Sequence, residues 1–410
     1  MKVWCLLRDQ FAHVKPVEAA FGRAVEFVYD DEWDPSALVN ASPDIVLCVN
    51  DYPFDIARCL DAAREQRIPS LDLQDGILEW RCQFENSLFG AGGGAPQHQP
   101  VLADKIACIG QQSLRQIAAW GNAAKVELTG MPRLDQLCSS RGVSQKSEGT
   151  RVLVMTAKNP GFTPAQRETT IRSLNDLKGY LDSQPQIQTL WRVSRGVADI
   201  LGVRNQLSEV CTAELRTAVE QVDAVITTPS TAMLEAMLLH KPVAALDYHN
   251  VPSFFQTAWR ISAPDHIHGV IRELLEPSVA KLAYQSEILA DSLICDGCAS
   301  HRVRRLMEKM VAVAKNSGRN DLCFPTDLLD QQNTYHFFQP KRSAELYPGH
   351  SVFEENNLES LRVRLARAAS ENARLKAENI DLKRQAEPGV QFKKGIRRLS
   401  QIVPLRSFFN

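Results

Sequence analysis

The sequence predicts an α/β protein of two doubly wound domains, followed by a coiled-coil helix and a basic amphipathic tail. Three observations lead there. Over residues 1–137 short apolar runs alternate with helical stretches, the rhythm of parallel strands joined by crossover helices. A polar, glycine-containing break at 138–150 is followed by a second such alternation over 151–316. Beyond it, a mixed connector at 317–357 leads to a heptad repeat at 358–387 and a basic segment at 388–410.

In the first domain the runs at 3–7, 25–29, 45–50, 70–73, 105–109 and 126–129 have the length and apolar content of strands in a buried parallel sheet. Helical patterns at 54–66 and 113–120 separate several of them. Ligands of doubly wound sheets bind beyond the carboxyl ends of the strands, so functional residues are expected just after strands. Three segments qualify: Asn50-Asp51-Tyr52; Gln74-Asp75-Gly76-Ile77 with Glu79 and Arg81 behind it; and Gly130-Met131-Pro132-Arg133-Leu134-Asp135. Asp75 is placed to serve as a catalytic base, taking the proton of an attacking hydroxyl, next to a glycine that permits a tight turn. The same position equally suits an Asp that bonds only its own turn.

In the second domain strands are expected at 151–156, 190–193 and 224–227, and a helix with an apolar stripe of Val303, Leu306, Met310 and Val313 at 300–314. The stretch from Asp223 to His249 carries the most chemistry. A buried strand runs into Thr228-Pro229-Ser230-Thr231, then a helix with Glu235 in its first turn, then Lys241-Pro242 and another apolar strand. The free N–H groups of such a helix favour a phosphate, and the Ser230 and Thr231 hydroxyls can cap the helix and donate to phosphate oxygens. Glu235, one turn further in, can accept from a ribose diol. That is a nucleotide-sugar site, although any strand-to-helix junction of an α/β protein also shows a Ser/Thr cap and an apolar helix. Lys158 follows the first of these strands, at 151–156, and is a further phosphate candidate, although it also suits an ordinary solvated side chain.

Composition narrows the classes. Hydrophobic content of 44%, charged content of 23% and a formal net charge of −1 describe a soluble globular protein with no global reason to bind nucleic acid. No apolar run is long enough for a membrane span, and the opening Met1-Lys2-Val3-Trp4-Cys5-Leu6-Leu7-Arg8 reads as a first strand rather than a signal peptide, so a cytoplasmic location is expected. Of the ten cysteines, Cys5, Cys48, Cys59 and Cys108 lie in apolar patterns, where a free thiol acts as a small hydrophobe. Cys295 and Cys298, with His301 nearby, lack the second ligand pair of a zinc site, and no metal or cofactor is assigned.

Ser230, Thr231, Leu234, Glu235, Ala236, Lys241, Pro242 and Val243 follow a strand in an "ST..LEA...KPV" pattern that resembles the donor-binding segment of GT-B glycosyltransferases. The segments at 103–110 and 128–137, the latter containing Arg133, resemble the end of the N-terminal domain in bacterial GT-B enzymes of capsule and surface-polysaccharide assembly. Residues 73–81 are similar to a "QxG" segment that often carries His where this chain has Asp75. Residues 191–195 lie where such enzymes often show "RxHP", which implies Arg192 or Arg195 facing the donor phosphate; the His-Pro is missing here, and each arginine also suits an ordinary solvated side chain. The resemblance covers roughly residues 1–315. It implies two Rossmann-like domains in a GT-B arrangement, an acceptor domain at 1–137 and a nucleotide-sugar domain at 151–316. It also implies metal-independent transfer of a sugar to a glycan or lipid-linked acceptor, with Ser230, Thr231, Glu235, Arg133, Arg192 and Lys158 on the donor and Asp75 as base. A nucleotide-sugar epimerase of the UDP-N-acetylglucosamine 2-epimerase type shares the fold, but Leu6-Leu7-Arg8-Asp9-Gln10 lacks its "GTRPE"-like turn. A non-catalytic scaffold is the third reading.

The C-terminal fifty residues are separately informative. Leu358, Leu365, Asn372, Asn379 and Ala386 fall at a positions and Leu361, Ala368, Leu375 and Leu382 at d positions, a seam whose asparagines favour a parallel homodimer. A single amphipathic helix packed on the globular part is the alternative. After Pro388-Gly389 the tail carries Lys393, Lys394, Arg397, Arg398 and Arg406 with no acidic residue, interleaved with Phe392, Ile396, Leu399, Ile402 and Val403. Such a segment at 390–410 suits an anionic membrane surface at the inner face of the cytoplasmic membrane, or an acidic partner. Residues 90–99, reading GAGGGAPQHQ, are expected to form a flexible loop.

Overall fold

The computed structural model describes residues 1–86, 96–139, 150–205, 212–317, 322–330 and 358–385. Two compact units are present, residues 1–341 and 342–410. The first holds two parallel sheets and their helices.

The first sheet is built from β1 (Lys2–Leu6), β2 (Glu26–Asp30), β3 (Ile45–Cys48), β4 (Ser70–Leu73), β5 (Lys105–Cys108) and β6 (Val126–Leu128), in the order β2-β1-β3-β4-β5-β6. Every pairing is parallel. Successive side chains of a strand face opposite sides of a sheet, and here both sides are covered, so the strands are largely apolar, with Asp72, Lys105 and Glu127 as buried exceptions. Val3 and Cys5 of β1 and Ile45 and Leu47 of β3 point into one core; Trp4, Leu6, Val46 and Cys48 point into the other. The connecting helices are α1 (Phe11–Phe21), α2 (Pro35–Ala41), α3 (Phe54–Glu65), α4 (Trp80–Phe84) and α5 (Gln111–Ile117), with α6 (Asp135–Ser139) leaving the sheet after a short 3-10 turn at Pro132–Leu134.

The second sheet comprises β7 (Thr150–Met155), β8 (Ile187–Arg192), β9 (Ala224–Thr227), β10 (Val243–Leu246) and β11 (Trp259–Ile261), ordered β11-β10-β9-β7-β8 and again all parallel. Its helices are α7 (Pro164–Asp182), α8 (Arg195–Leu201), α9 (Thr212–Glu220), α10 (Ala232–Leu238), α11 (His266–Leu275) and α12 (Val279–Ser292). Side-chain caps fix two of their starts: the Thr163 hydroxyl accepts from the Gln166 N–H at 3.3 Å, and Ser278 accepts from Lys281 N–H at 3.2 Å.

The last long helix of this unit, α13 (Ala299–Asn316), returns to the first sheet. Val303, Leu306, Met307, Met310 and Val311 pack with Val3, Cys5, Ile45 and Leu47. The linear order of the sequence grouped this helix with the second domain; its apolar stripe instead completes the core of the first. Residues 322–330 follow it there without a regular element. Leu328 and Leu329 are buried, and the fully buried Lys105 ammonium donates to Glu127 Oε1 at 2.8 Å and to the Pro325 carbonyl at 2.6 Å. Glu127 also accepts from the Leu328 N–H at 2.9 Å.

The second unit contains the helix Leu358–Gln385. Two seam residues, Leu365 and Leu375, are exposed large hydrophobics in the single chain, and Arg374 faces Glu378 one turn on at 3.6 Å. The heptad positions at 386–387 and the basic tail at 388–410 lie outside the described residues, as does most of the connector at 317–357. No helix among the described residues is long and apolar enough to cross a membrane.

Candidate active site

Both sheets change direction of growth at an inner strand, the first between β1 and β3 and the second between β7 and β9. Crevices open at such points beyond the carboxyl ends of the strands. Beyond the carboxyl ends of β4 and β9, the segments that follow these strands touch.

The first wall is the turn after β4. Gln74 is buried and clamps it: its amide donates to the Gly76 carbonyl at 2.7 Å and to Ser113 Oγ at 2.8 Å, while its oxygen accepts from the Ile109 N–H at 3.1 Å. Asp75 is half-buried, and its Oδ2 accepts from Asn50 Nδ2 at 3.1 Å. Asn50 in turn accepts from Gln97 Nε2 at 2.6 Å, and Gln97 from Gln83 Nε2 at 2.8 Å. Asp75 is therefore held from outside its own turn, which the turn-only reading did not foresee.

The second wall is Thr228-Pro229-Ser230-Thr231 and α10. Neither hydroxyl caps the helix as expected. Thr231, the residue before α10, has helical backbone angles and no side-chain capping bond. Its Oγ1 accepts instead from the Ile77 N–H at 3.2 Å, and Ser230 Oγ is buried with no partner. The two walls touch at this point, and Gly76 is what lets them: a Cβ on Gly76 would collide with Thr231 Oγ1. Glu235 is nearly buried and paired across the cleft with Arg133, whose guanidinium donates to Glu235 Oε1 at 2.7 Å. Further ties flank the contact. Gln166 donates to Glu85 at 2.6 Å, Gln112 donates to the Phe254 carbonyl, and Arg115 pairs with Asp291 at 2.5 Å.

The structure thus brings Asp75, Arg133, Ser230, Thr231 and Glu235 to one place. Lys158 follows β7 beside the second wall, where the Ala157 N–H donates to Thr228 Oγ1 at 2.8 Å, but its side chain is 91% exposed and its ammonium lies 3.8 Å from Asp9. Arg192 ends β8, which is separated from β9 by β7, and the Arg195 side chain lies outside the described residues.

Several buried polar residues lie near the first wall, of which only Asp51 falls in a segment the sequence singled out for function. Asp51 follows β3, Asp72 lies within β4, and His98 comes from the end of the glycine-rich segment; all three are fully buried. The expectation of a flexible loop across 90–99 therefore fails at its end, because Gln97 and His98 are packed inside. Residues 87–95 lie outside the described residues. Burial pushes the Asp72 carboxyl well above the usual carboxylate range, helped by Asp51 and Asp75 nearby, and burial raises Asp51 too. Burial lowers His98 to about 4 against the attraction of Asp75. On α1, burial and then the Arg133 charge hold His13 down at about 3.

An aromatic group adjoins these walls: Trp80 and Phe84 of α4, Trp120 and Phe254, with ring centroids 4.4 to 6.4 Å apart. A cavity of about 330 Å³ between α5 and α12 is lined by Gln112, Arg115, Phe254, Tyr284, Ile288 and Asp291. It shares Phe254 with the aromatic group and none of the carboxylates.

This is the GT-B fold. Neither a family model nor a curated protein matches the sequence. Among solved structures, the chain is similar to a UDP-GlcNAc 2-epimerase of Methanocaldococcus jannaschii in complex with UDP-GlcNAc and UDP, at a TM-score of 0.54 and 10% identity over 75% of this chain and 99% of that one. It is also similar to a putative UDP-N-acetylglucosamine 2-epimerase from Listeria monocytogenes, at 0.52 and 14% over 75% and 96%. The S. aureus MnaA-UDP co-structure matches at 0.50 and 13% over 75% and 95%. At such identities the likeness concerns the fold.

Proposed function

We propose that the chain binds a nucleoside-diphosphate sugar between its two domains and rearranges that sugar, in the manner of a UDP-GlcNAc 2-epimerase. The observation that carries the reading is a fixed carboxylate on each wall of one contact, Asp75 held by Asn50 after β4 and Glu235 held by Arg133 on α10, with Gly76 against Thr231 where the walls touch. Ser230, Thr231 and Arg133 supply donors for the diphosphate, and the second Glu235 oxygen is available to the ribose. Epimerisation at C2 needs a base to remove the C2 proton while the C1–O bond breaks and its electron pair leaves with UDP, then return of UDP to C1 as a proton is delivered to the opposite face of C2; Asp75 is the candidate for the base. A cleft closed by several ties suits the reaction of a single bound substrate, because water is kept from its intermediates. The fold shared with the epimerases supports the same reading.

Incubation with UDP-GlcNAc in D2O tests it. The expected result is the 2-epimer with deuterium at C2, read by NMR, and its loss in Asp75→Asn. An unchanged sugar in both proteins removes the reading.

Transfer of the sugar to a glycan or lipid-linked acceptor is the second reading, and the aromatic group Trp80, Phe84, Trp120 and Phe254 favours it, since such rings stack on sugar faces. UDP release that depends on an added lipid-linked acceptor, with no 2-epimer formed, would support it. Under either reading the heptad at 358–387 supports a parallel homodimer and the segment at 390–410 an anionic membrane surface. Co-sedimentation with anionic liposomes that is equal for the full chain and a chain ending at Glu387 would remove the membrane role.

A further inference from the structure

Asp51, Asp72 and His98 meet inside the first domain, and each offers one ligand atom within 4.8 Å of the others. All three side chains are shut off from solvent. Asp51 Oδ1, Asp72 Oδ2 and both ring nitrogens of His98 have no hydrogen-bond partner, although buried polar atoms of this kind are normally satisfied. His98 Nδ1 lies 3.6 Å from Asp72 Oδ2, too long for a hydrogen bond between them. No Lys or Arg among the described residues pairs with either carboxylate; the nearby Lys125 ammonium donates to the Val101 and Ala103 carbonyls at 2.6 and 2.9 Å instead.

We propose that Asp51, Asp72 and His98 are three ligands of a divalent transition-metal ion, one layer beneath the candidate active site. Two carboxylates and an imidazole form a donor set suited to Zn2+, Mn2+ or Co2+. Ligand bonds of about 2.0 to 2.2 Å in tetrahedral geometry place neighbouring donor atoms roughly 3.3 Å apart, so the Asp72–His98 pair is already near its bound spacing. The wider separations need only small side-chain rotations.

The ligands are also oriented from behind, as metal ligands are. Asp72 Oδ1 accepts from the Asn50 N–H at 2.9 Å. Asp51 Oδ2 accepts from the N–H groups of Leu102 and Ala103 at 2.5 and 3.1 Å. Each carboxylate is thereby left with one oxygen turned to the shared space. Asn50 links the layers: its backbone N–H holds Asp72 and its side chain holds Asp75. The ion is a positioning element that fixes the floor under Asp75, and its binding does not depend on which reaction the cleft performs.

The test uses the full chain, stripped with a chelator, incubated with Zn2+, Mn2+ or Co2+ and freed of excess metal by gel filtration. The expected result is one ion retained per chain, a rise in Tm on loading, and visible d–d bands with Co2+ but no near-ultraviolet thiolate charge transfer. His98→Gln and Asp72→Asn should weaken binding by more than the roughly 10- to 100-fold that loss of an outer-shell partner costs. Cys298→Ser, which alters the Cys295, Cys298 and His301 cluster, should leave binding unchanged. The wild-type spectrum and Tm shift hold even if a buried variant fails to fold. Retention of no ion, a thiolate charge-transfer band, or full binding in folded His98→Gln would each overturn the proposal; the first would leave the three residues sharing protons among themselves.

Discussion

Arg133 and Glu235 come from different domains and meet at 2.7 Å with 13% and 7% of their side chains exposed. Removal of either leaves the other charge largely out of water, which is costly. Glu235→Ala is expected to lower stability by about 1 to 3 kcal/mol and to weaken UDP binding by a similar amount. The double variant Arg133→Ala, Glu235→Ala should lose less stability than the sum of the singles. Denaturant melts and calorimetry check this, and additive losses would show that the pair is not coupled.

Gly76 is required by the approach of Thr231. Gly76→Ala should push the walls apart and reduce UDP affinity, and adding Thr231→Ala should restore much of it, since the obstructing atom is Thr231 Oγ1. No recovery in the double variant would place the effect in the turn itself.

Asp75→Asn keeps the shape of the side chain and removes the base. Turnover of the nucleotide sugar should fall about 10²- to 10⁴-fold while UDP affinity stays nearly unchanged. Wild-type turnover in this variant would assign the base elsewhere.

His13 is held neutral in the fold, its pKa lowered to about 3 from the ordinary histidine value of about 6.5 by burial and then by the Arg133 charge. Between those values the unfolded chain binds a proton that the folded chain refuses. The stability from this group is therefore full above about pH 6.5 and falls on acidification toward pH 3, by at most about 1.4 kcal/mol per pH unit. Melting curves from pH 7 to 4 should be less steep with pH in His13→Asn; identical slopes would reject this contribution.

Deletion of residues 356–410 should convert a dimer to a folded monomer in light scattering, because the exposed Leu365 and Leu375 lie on the deleted helix. A dimer surviving the deletion would place the interface in the first unit.

Much of the fold was legible because parallel strands covered on both faces are mostly apolar, even where a buried Asp72, Lys105 or Glu127 interrupts them. The expected strand at 70–73 coincides with β4, and that at 224–227 with β9. The helix expected at 113–120 instead starts at Gln111 and gives way to a wider turn after Ile117, since Gly121 breaks the pattern. The three-residue β11 was missed because Trp259-Arg260-Ile261 is too short to show a period. At the site, the rule that ligands gather after strands found Asp75 and Thr231. It also found Asn50, Asp51 and Arg133, but not Asp72, Gln97 or His98. Asp72 lies inside a strand, and His98 follows a glycine-rich run that reads as solvent-exposed. Asp135, taken as part of a motif, turns out to receive the first N–H groups of α13 from Ala299 and Ser300 at 2.9 and 2.8 Å. Such pairings, 164 and 165 positions apart, leave no local mark.

The clasp of Lys105 and Glu127 on residues 322–330 has a consequence for synthesis. Strands β1 to β6 leave the ribosome early, yet the helix and strap that cover one of their faces are made roughly 200 residues later, about 10 to 40 s at ordinary elongation rates. During that interval Val3, Cys5, Ile45 and Leu47 lack a large part of their covering, and a buried lysine and glutamate wait for carbonyl and N–H groups not yet translated. The nascent first domain should therefore depend on chaperones until residue 330 has emerged, and translation pauses before that point should raise aggregation more than pauses after it.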